Sequence, residues 1–312
     1  MKKVVFFLKL SVFVSTIACF VWFGIMPQFD LQYNASLIDK WNRLKSIKEP
    51  KIILVGDSNV AFGIDSQKIQ EAFNMPVVNF GLHGGLGQAF HTDMIKPYIN
   101  EGDIVVIFPA EYNNADTKIL DCVLLWTAIG NNIDIWQGIS FENYTKIILA
   151  YPTYLKRAIV LWISNKGNTT DGVYSRAAFN EYGDNVYPRP NCIISEGNYD
   201  SYFASRNLSE VMRVYWNKYN EYILNKNARL FMSSPPILDE TLPNDLDLDA
   251  LQKQLEDELN FPMISRLHNY IYPLEYFYDT GFHLTDVGKT IRTEQLILDI
   301  SAALLAPTFS NY

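Results

Sequence analysis

The apolar residues of this chain form one long run near the N-terminus and several short runs further on. Residues 4–26 are mostly apolar, and Lys9 is their only charged residue. A helix over that stretch would be roughly 34 Å long, which matches a bilayer hydrocarbon core of about 30 Å. A short apolar run that ends in turn residues is typical of a strand buried on both faces. The pattern therefore predicts a membrane helix followed by an α/β domain.

Four of the short runs predict the strands of one sheet. Segments with helical periodicity separate them, and a long helix closes the chain. Strands that alternate with helices form crossover units, so the sheet should be mostly parallel and covered by helices on both faces. The four runs occupy residues 51–56, 76–81, 103–108 and 228–236.

These patterns divide the chain into three parts. Residues 1–28 are expected to form a transmembrane signal-anchor, residues 29–50 a polar tether with a short amphipathic helix, and residues 51–312 the α/β domain. Residues 115–227 contain no clear buried strand, yet they hold 11 of the 19 tyrosines and 4 of the 6 tryptophans. We expect a mostly helical insertion there, whose aromatic rings form a subsidiary core or line a cleft.

Positive charge precedes the long apolar run. Lys2 and Lys3 favour a cytoplasmic N-terminus, so the domain should lie outside the cytoplasm, tethered to the cell membrane by a single span. A cleaved signal peptide would have a shorter apolar core and a small-residue exit. A lipoprotein would use Cys19, but the sequence stays apolar after that cysteine.

Composition narrows the classes of partner. A net charge of −8, with no basic cluster after the N-terminus, argues against nucleic acid, because phosphate binding needs a basic face. Cys122 and Cys192 lie outside the predicted membrane segment and are either free thiols or one disulfide. His83 and His91 have no matching Cys or acidic cluster nearby, so the sequence predicts neither a metal site nor a cofactor.

Unusual polar turns follow three of the predicted strands, and a fourth precedes the last helix. Ligands of open parallel sheets bind beyond the carboxyl ends of the strands, so these turns should meet at one edge. They read GDSN at residues 56–59, GLHGGLG at 81–87, PAEYNN at 109–114 and DTGFH at 279–283.

The turns carry the residue types of a nucleophilic site. A serine hydroxyl becomes nucleophilic when an adjacent base takes its proton, and histidine is the usual base near neutral pH. Ser58 and His283 supply such a pair, and Asp279 or Asp286 could fix the tautomer of the imidazole. Taken alone, Ser58 is also compatible with a helix-capping serine, and His91 with a position on a helix surface.

Together, the GDS turn, NFGLHGG after the second strand and the late Asp–His pair resemble the SGNH (GDSL-type) hydrolases. The resemblance runs from about residue 51 to the C-terminus, without residues 115–227. It implies a flavodoxin-like three-layer α/β fold in which Ser58 is the nucleophile, His283 the base and Asp279 the acid that orients it. It also implies that the backbone N–H groups of Ser58 and Gly84 bind the oxyanion. The neighbouring glycines of the second turn would provide backbone clearance.

The chain departs from the family pattern in the third block, which usually reads Gly-x-Asn-Asp and supplies an oxyanion-hole asparagine. Here the third strand ends in FPAEYNNA, so Asn113 or the hydroxyl of Tyr112 would take that place, whereas Glu111 could donate only when protonated. Losing one oxyanion donor costs ~10²–10³ in rate.

The late motif departs from the family pattern as well. Its Asp precedes the His by four residues instead of three, so Asp286 remains an alternative to Asp279 as the acid that orients His283.

The membrane-anchored form is similar to exported proteins of that family that handle acyl groups of cell-envelope polymers. The resemblance implies a serine esterase or O-acyltransferase that forms an acyl-enzyme. Its substrate would be an acylated, above all acetylated, envelope polysaccharide or another small ester. The alternative is a catalytically weak or inactive protein of the same fold that binds a polysaccharide or a partner during polymer assembly. The sequence leaves the substrate, and the choice between hydrolysis and transfer, open.

Overall fold

A four-stranded parallel sheet forms the centre of the domain. The computed structural model describes residues 2–164, 172–195, 197, 199 and 205–306. Every pairing in the sheet is parallel, in the order β2-β1-β3-β4, and residues 52–56 of β1 align with residues 104–108 of β3. The strands are β1 (Ile52–Gly56), β2 (Val77–Asn79), β3 (Ile104–Phe108) and β4 (Arg229–Met232). The predicted α/β class with a mainly parallel sheet is therefore confirmed.

Two segments that follow β4 in the chain form a second, two-stranded parallel sheet. It pairs β5 (Ile237–Leu238) with β6 (Ile271–Tyr272). The helices of the described residues are α1 (Lys2–Phe20), α2 (Ser36–Ser46), α3 (Ser58–Gly63), α4 (Ser66–Phe73), α5 (Gln88–Ile95), α6 (Cys122–Ile129), α7 (Tyr144–Ser164), α8 (Glu210–Leu224), α9 (Leu248–Glu258) and α10 (Asp286–Leu305).

Both faces of the central sheet are buried, as its continuous apolar strands predict. Successive side chains of a strand point to opposite faces. Ile53 and Val55 accordingly join a core with α2, α5 and α8, while Ile52 and Leu54 join a second core with α4 and α10. Helices therefore cover the sheet on both sides, and the carboxyl ends of the strands stay open at one edge.

The segment predicted as a tether packs into the domain. Its helix, α2, buries Leu37 and Trp41 completely, and the preceding Phe29 and Tyr33 are also buried. The Tyr33 hydroxyl donates a hydrogen bond of 2.7 Å to the Leu82 carbonyl, in the loop after β2. Residues 29–50 thus support the open edge of the sheet and do not act as a loose connection.

The segment between β3 and β4 is only partly helical. It contains α6, α7 and α8, but residues 172–195 follow an irregular path with isolated bridges such as Phe179 to Asn185. Residues 165–171, 196, 198 and 200–204 of the expected insertion lie outside the described residues. Many of its rings are core residues: Trp126, Tyr154 and Trp216 are buried.

The N-terminal helix stands apart from the core. None of the residues of α1 is buried, and the apolar segment Lys2–Phe29 is long enough to cross a membrane. Such a helix is consistent with a membrane anchor or with a signal sequence. The helical segment Phe141–Ser164 is also long and apolar enough to cross a membrane, although its mean hydropathy is lower than that of Lys2–Phe29. Cys19, Cys122 and Cys192 are free thiols.

Candidate active site

The turn after β1 presents Ser58 at the open edge of the sheet. Asp57 caps α3, because its Oδ1 accepts a hydrogen bond of 2.8 Å from the Asn59 N–H. Ser58 is therefore the first residue of the helix and not its cap, which removes the capping explanation for this serine. Its side chain is partly exposed and lines a cavity of about 470 Å³.

The loop after β2 approaches this turn closely. Buried Asn79 holds the loop by donating 2.8 Å to Asp184 and accepting 3.0 Å from the Gly81 N–H. A Cβ at Gly81 would lie 2.6 Å from Val60 Cβ and 2.7 Å from Ala61 N, so only glycine fits there. The absence of a side chain at Gly81 allows the loop to approach α3.

Gly84 follows in the same loop and lies beside the turn of Ser58. A Cβ at Gly84 would lie 3.5 Å from Asp57 Oδ2, an ordinary contact distance. Among the described residues, neither the Ser58 N–H nor the Gly84 N–H has a hydrogen-bond acceptor. Backbone N–H groups without an acceptor can bind an oxyanion when they converge on it.

The late loop places His283 against Asp279. The Nδ1 atom of His283 lies 2.7 Å from Asp279 Oδ1, and both side chains are largely buried. Since a carboxylate only accepts, Nδ1 carries the proton and Nε2 is left as the basic nitrogen. Burial raises the pKa of Asp279, but the hydrogen bond and charge of His283 together with the hydrogen bond from Tyr174 outweigh it, and the net shift of that pKa is downward.

Tyr174 completes the environment of this pair. Its hydroxyl donates 2.5 Å to Asp279 Oδ2 and lies 3.3 Å from His283 Nδ1. The His283 ring stacks on Phe62 with centroids 3.9 Å apart and an interplanar angle of 10°. The carboxylate, hydroxyl and stacked ring together fix the orientation of the imidazole.

Ser58 and His283 line the same cavity. Gln32, Tyr33, Asn34, His83 and Tyr174 line it as well. Within the described part of the chain, the Ser58 hydroxyl makes no hydrogen bond, so Ser58 and His283 are not bonded to each other. Catalytic hydrogen bonds are often long without substrate.

Asp286 has a different partner. Its Oδ2 accepts a hydrogen bond of 2.9 Å from the Arg189 N–H, and its own N–H donates 3.0 Å to the Arg189 carbonyl. Asp286 is the first residue of α10, where a carboxylate also favours the helix dipole. Of the two acids left open by the sequence, Asp279 is the one in contact with His283.

The third turn does not bring the Tyr112 hydroxyl to this cavity. Tyr112 is fully buried, and burial raises the pKa of its hydroxyl, partly offset by the nearby Ser234 side chain. Asn113 is partly exposed and does not line the cavity that holds Ser58. Glu111 lines a different cavity, which also contains Gly84.

Arg292 ties the last helix to the nucleophile turn. Its guanidinium, fully buried, donates 2.6 Å to the Asn59 carbonyl, 2.9 Å to Asn59 Oδ1 and 3.2 Å to the Ser234 carbonyl. Burial lowers the pKa of Arg292 to about 10, which leaves it protonated at neutral pH. The contact holds the residue next to Ser58 from a position 233 residues away in the chain.

Replacing Arg292 with Met should destabilise the protein by roughly 3 kcal/mol, because two buried carbonyl groups lose their donors. Urea unfolding followed by tryptophan fluorescence measures the change. The matched control is Arg213→Met, since Arg213 is on the surface and pairs with Glu210. That variant should lose no more than about 1 kcal/mol. Equal stability of the two variants would contradict the role given to Arg292.

His91 is buried, contrary to the expectation of a surface position. It is 2 % exposed, and its Nε2 lies 3.1 Å from the His83 carbonyl oxygen. Burial lowers its pKa to about 4, so the ring is neutral at pH 7. Because a carbonyl only accepts, Nε2 carries the proton.

Acid should therefore destabilise the fold partly through His91. An unfolded histidine has a pKa near 6.5, so the unfolded chain binds more protons than the folded chain as the pH falls from 6.5 to 4. The resulting loss is on the order of 3 kcal/mol below pH 4. Urea unfolding at pH 6.5, 5 and 4 should show a shallower decline for His91→Gln than for the natural chain. Parallel declines would contradict this assignment.

In comparisons with protein-family models, curated proteins and solved structures, none matches this chain.

Sequence reasoning missed two contributors to the site. Tyr174 lies in an irregular stretch of the aromatic-rich segment, and no spacing marks it apart from the other tyrosines there. Arg292 is one of several charged residues in a helix whose sequence is amphipathic, so nothing in the sequence distinguishes it. Their roles depend on contacts between distant parts of the chain, which no local pattern carries.

Proposed function

We propose that this protein is a serine esterase or O-acyltransferase that works through an acyl-enzyme at Ser58. The observation that carries the proposal is the Asp279–His283 pair in the cavity that Ser58 lines. A nucleophile, a base and an acid that orients the base are the parts required for acyl transfer. The resemblance to SGNH hydrolases in these same residues supports the proposal.

In the first half-reaction, the Ser58 oxygen attacks the acyl carbonyl while His283 Nε2 takes the hydroxyl proton. The carbonyl π electrons move to the oxygen, which the Ser58 and Gly84 N–H groups stabilise. The bond to the leaving alcohol then breaks, and His283 returns the proton to that alcohol. The product is an ester between Ser58 and the acyl group.

In the second half-reaction, water or a sugar hydroxyl attacks the acyl-enzyme. His283 removes the proton of the attacking group and later gives it to Ser58. Water yields hydrolysis, and a sugar hydroxyl yields transfer, with the same residues in the same roles. The substrate class that the resemblance favours is an acetylated polysaccharide of the cell envelope, with α1 as the membrane anchor and the domain outside the cytoplasm.

Labelling with a fluorophosphonate tests the proposal. The reagent phosphonylates an activated serine, so one phosphonyl group per chain should appear on the peptide that contains Ser58. The full chain in detergent is the sample, because Met26 and Phe29 belong to the core and a shorter chain would lose them. Label on another serine, or no label on a folded sample, would contradict the proposal.

A non-catalytic role is the second candidate. The observation that favours it is that Ser58 and His283 share a cavity without a hydrogen bond between them. A protein of this kind would bind a polysaccharide or an assembly partner. It would bind equally well after Ser58→Ala and would show neither labelling nor turnover.

A further inference from the structure

The last turns of α7 expose a group of large apolar side chains. Val160, Trp162 and Ile163 are all exposed, and the exposed fraction of Ile163 is 72 %. Trp162 packs edge-on against Phe20 at the end of α1, with ring centroids 5.5 Å apart. The apolar surface at this end of α7 is therefore continuous with that of the helix that would enter the membrane. We call residues 159–163 the α7 tip.

The preceding turns of α7 are held by the domain. Tyr154 is buried, and its hydroxyl donates a hydrogen bond of 2.9 Å to the Met26 carbonyl. Ile147 is buried as well, and its carbonyl accepts 2.8 Å from Trp126 Nε1. Ala158 is the last buried residue of the helix. The helix therefore cannot cross a bilayer along its whole length, whereas the α7 tip can enter lipid end-on.

The α7 helix runs antiparallel to the N-terminal segment. The Tyr154 ring lies beside Phe29, with centroids 5.4 Å apart, and its hydroxyl reaches Met26. Further along α7, Trp162 lies beside Phe20, which comes earlier in the chain than Met26. The α7 tip and the end of α1 thus approach the membrane side by side.

The length of the N-terminal segment gives the depth of the α7 tip. A hydrocarbon core of about 30 Å is spanned by about 20 helical residues. If the core begins at Val4, directly after the two N-terminal lysines, it ends near Phe23. Phe20 then lies about 4–5 Å inside the boundary, and Trp162, which contacts it, lies at a similar depth. Interfacial helices insert to a comparable depth of about 5–10 Å.

Two cations lie where this depth places the lipid headgroups. Lys156 and Arg157 are exposed and precede Trp162 by about 8–9 Å of helix, which puts them about 3–5 Å outside the hydrocarbon. Their aliphatic stems can cover apolar surface while the charged ends reach the lipid phosphates. The sequence after the α7 tip is polar over residues 165–171, which disfavours deeper insertion.

We propose that the α7 tip inserts into the bilayer beside α1, as a second and shallow membrane contact of the domain. The proposal rests on α1 being a membrane anchor, and it does not depend on the acyl-transfer reaction. A second contact restricts the tilt of the domain on the membrane, which one helix alone would leave open.

The consequence concerns the cavity that Ser58 lines. Tyr33 lines that cavity too. It follows Phe23 by about 10 Å of helix up to Phe29 and at most about 14 Å of extended chain after it. This wall of the cavity therefore lies within about 25 Å of the bilayer surface. With the α7 tip inserted, the cavity keeps one orientation relative to the lipid.

Spin labels test the proposal in the full chain, reconstituted in vesicles of phosphatidylcholine and phosphatidylglycerol, with the natural cysteines replaced by serine. The labelled variants are Val12→Cys in α1, Ile163→Cys in the α7 tip, Leu149→Cys in the first half of α7 and Leu298→Cys on α10. Leu149 and Leu298 are 74 % and 65 % exposed, so they match Ile163 within the protein. A difference between these three labels therefore reports the bilayer.

We expect the labels at 12 and 163 to be reached by oxygen and protected from a water-soluble nickel chelate. The labels at 149 and 298 should show the reverse, because position 149 lies about 20 Å of helix before position 163. Nickel access at 163 equal to that at 298, with 12 protected, would overturn the insertion of the α7 tip and leave the anchor. Nickel access at both 12 and 163 would overturn the anchor as well.

Two further outcomes would also contradict the proposal. Protection of the label at 149 as strong as that at 163 would mean that α7 lies flat on the membrane, against the end-on insertion. Immobilisation of the label at 163 that increases with protein density would assign the α7 tip to a contact with a second copy of the chain.

Photolabelling gives a second reading with the natural cysteines in place, should their replacement impair folding. A phosphatidylcholine with a diazirine on its acyl chain is irradiated in the same vesicles, and the carbene that forms inserts into nearby side chains. Trypsin cleaves at Lys156 and Arg157, so the first half of α7 and its tip fall in separate peptides, residues 147–156 and 158–166.

We expect lipid on the peptides of α1 and on residues 158–166. Residues 147–156 should carry at most about a tenth as much, because they lie outside the hydrocarbon core. Lipid on α1 alone, or equal labelling of the two α7 peptides, would overturn the proposal.

Discussion

Replacing Ser58 with Ala should lower the turnover of an aryl acetate at least about 10⁴-fold. Alanine removes the oxygen that forms the acyl-enzyme, and loss of a catalytic serine removes nearly all of the rate that depends on its base. The fold should persist, because the Ser58 hydroxyl makes no hydrogen bond among the described residues and its side chain is partly exposed. The measurement is the release of the aryl alcohol by the full chain in detergent, under saturating ester.

The control for this prediction is Ser46→Ala. Ser46 is the last residue of α2, and its exposed hydroxyl donates to the Arg43 carbonyl, its one partner within the described residues. Its variant should match the natural chain within a factor of two. Equal turnover by Ser58→Ala and the natural chain would show that any esterase activity comes from another group.

Replacing Asp279 with Asn should lower the turnover of the same ester by ~10³–10⁴. The amide can present its NH₂ group to His283 Nδ1, which would favour the tautomer with the proton on Nε2. A protonated Nε2 cannot take the hydroxyl proton of Ser58. The Tyr174 hydroxyl, now bonded to Asp279 Oδ2, can still bond the amide, so the loop should keep its shape. The change should appear in kcat far more than in KM.

Asp286→Asn is the matched control, because it makes the same chemical change seven residues later in the chain. Its amide oxygen can still accept from the Arg189 N–H, and loss of the charge at the start of α10 costs about 0.3–1 kcal/mol of stability. We expect turnover within about threefold of the natural chain. A larger loss from Asp286→Asn than from Asp279→Asn would reverse the assignment of the orienting acid.

The sheet could be predicted because its strands are buried on both faces. Apolar runs that alternate with helices, as at residues 51–56 and 103–108, form the buried strands of a parallel sheet. The observed strands lie within those runs. The predicted and observed ends of the strands differ by a few residues. At β4, the predicted run covers residues 228–236, but only Arg229–Met232 form the strand. The two prolines that follow cannot donate ladder hydrogen bonds.

The candidate site could be predicted only where its residues lie on turns with a recognisable pattern. Ser58, Gly84, Asp279 and His283 belong to that group, and the contact between the last two is direct. The polar neighbours of Tyr33 predict a tether, yet its ring is buried beside Phe62. Its position depends on where α2 packs, which the periodicity of one segment does not determine.

Buried polar groups were the least predictable part. His91 has the neighbours of a helix-surface residue in the sequence, but α5 packs so that this side chain faces inward. Lys40 is likewise buried, where it donates to the carbonyl groups of Asn79 and Gly183. Burial lowers the pKa of Lys40 to about 7. Such positions are decided by tertiary contacts that override local polarity.

Trapping the acyl-enzyme tests the central claim most directly. The full chain is mixed with an aryl acetate, quenched in acid within the first turnover, digested and analysed by mass spectrometry. The account predicts one acetyl group on the oxygen of Ser58 in the natural chain, and none at that position in His283→Ala. Acetyl on another residue, or on Ser58 to the same extent in both proteins, would contradict it.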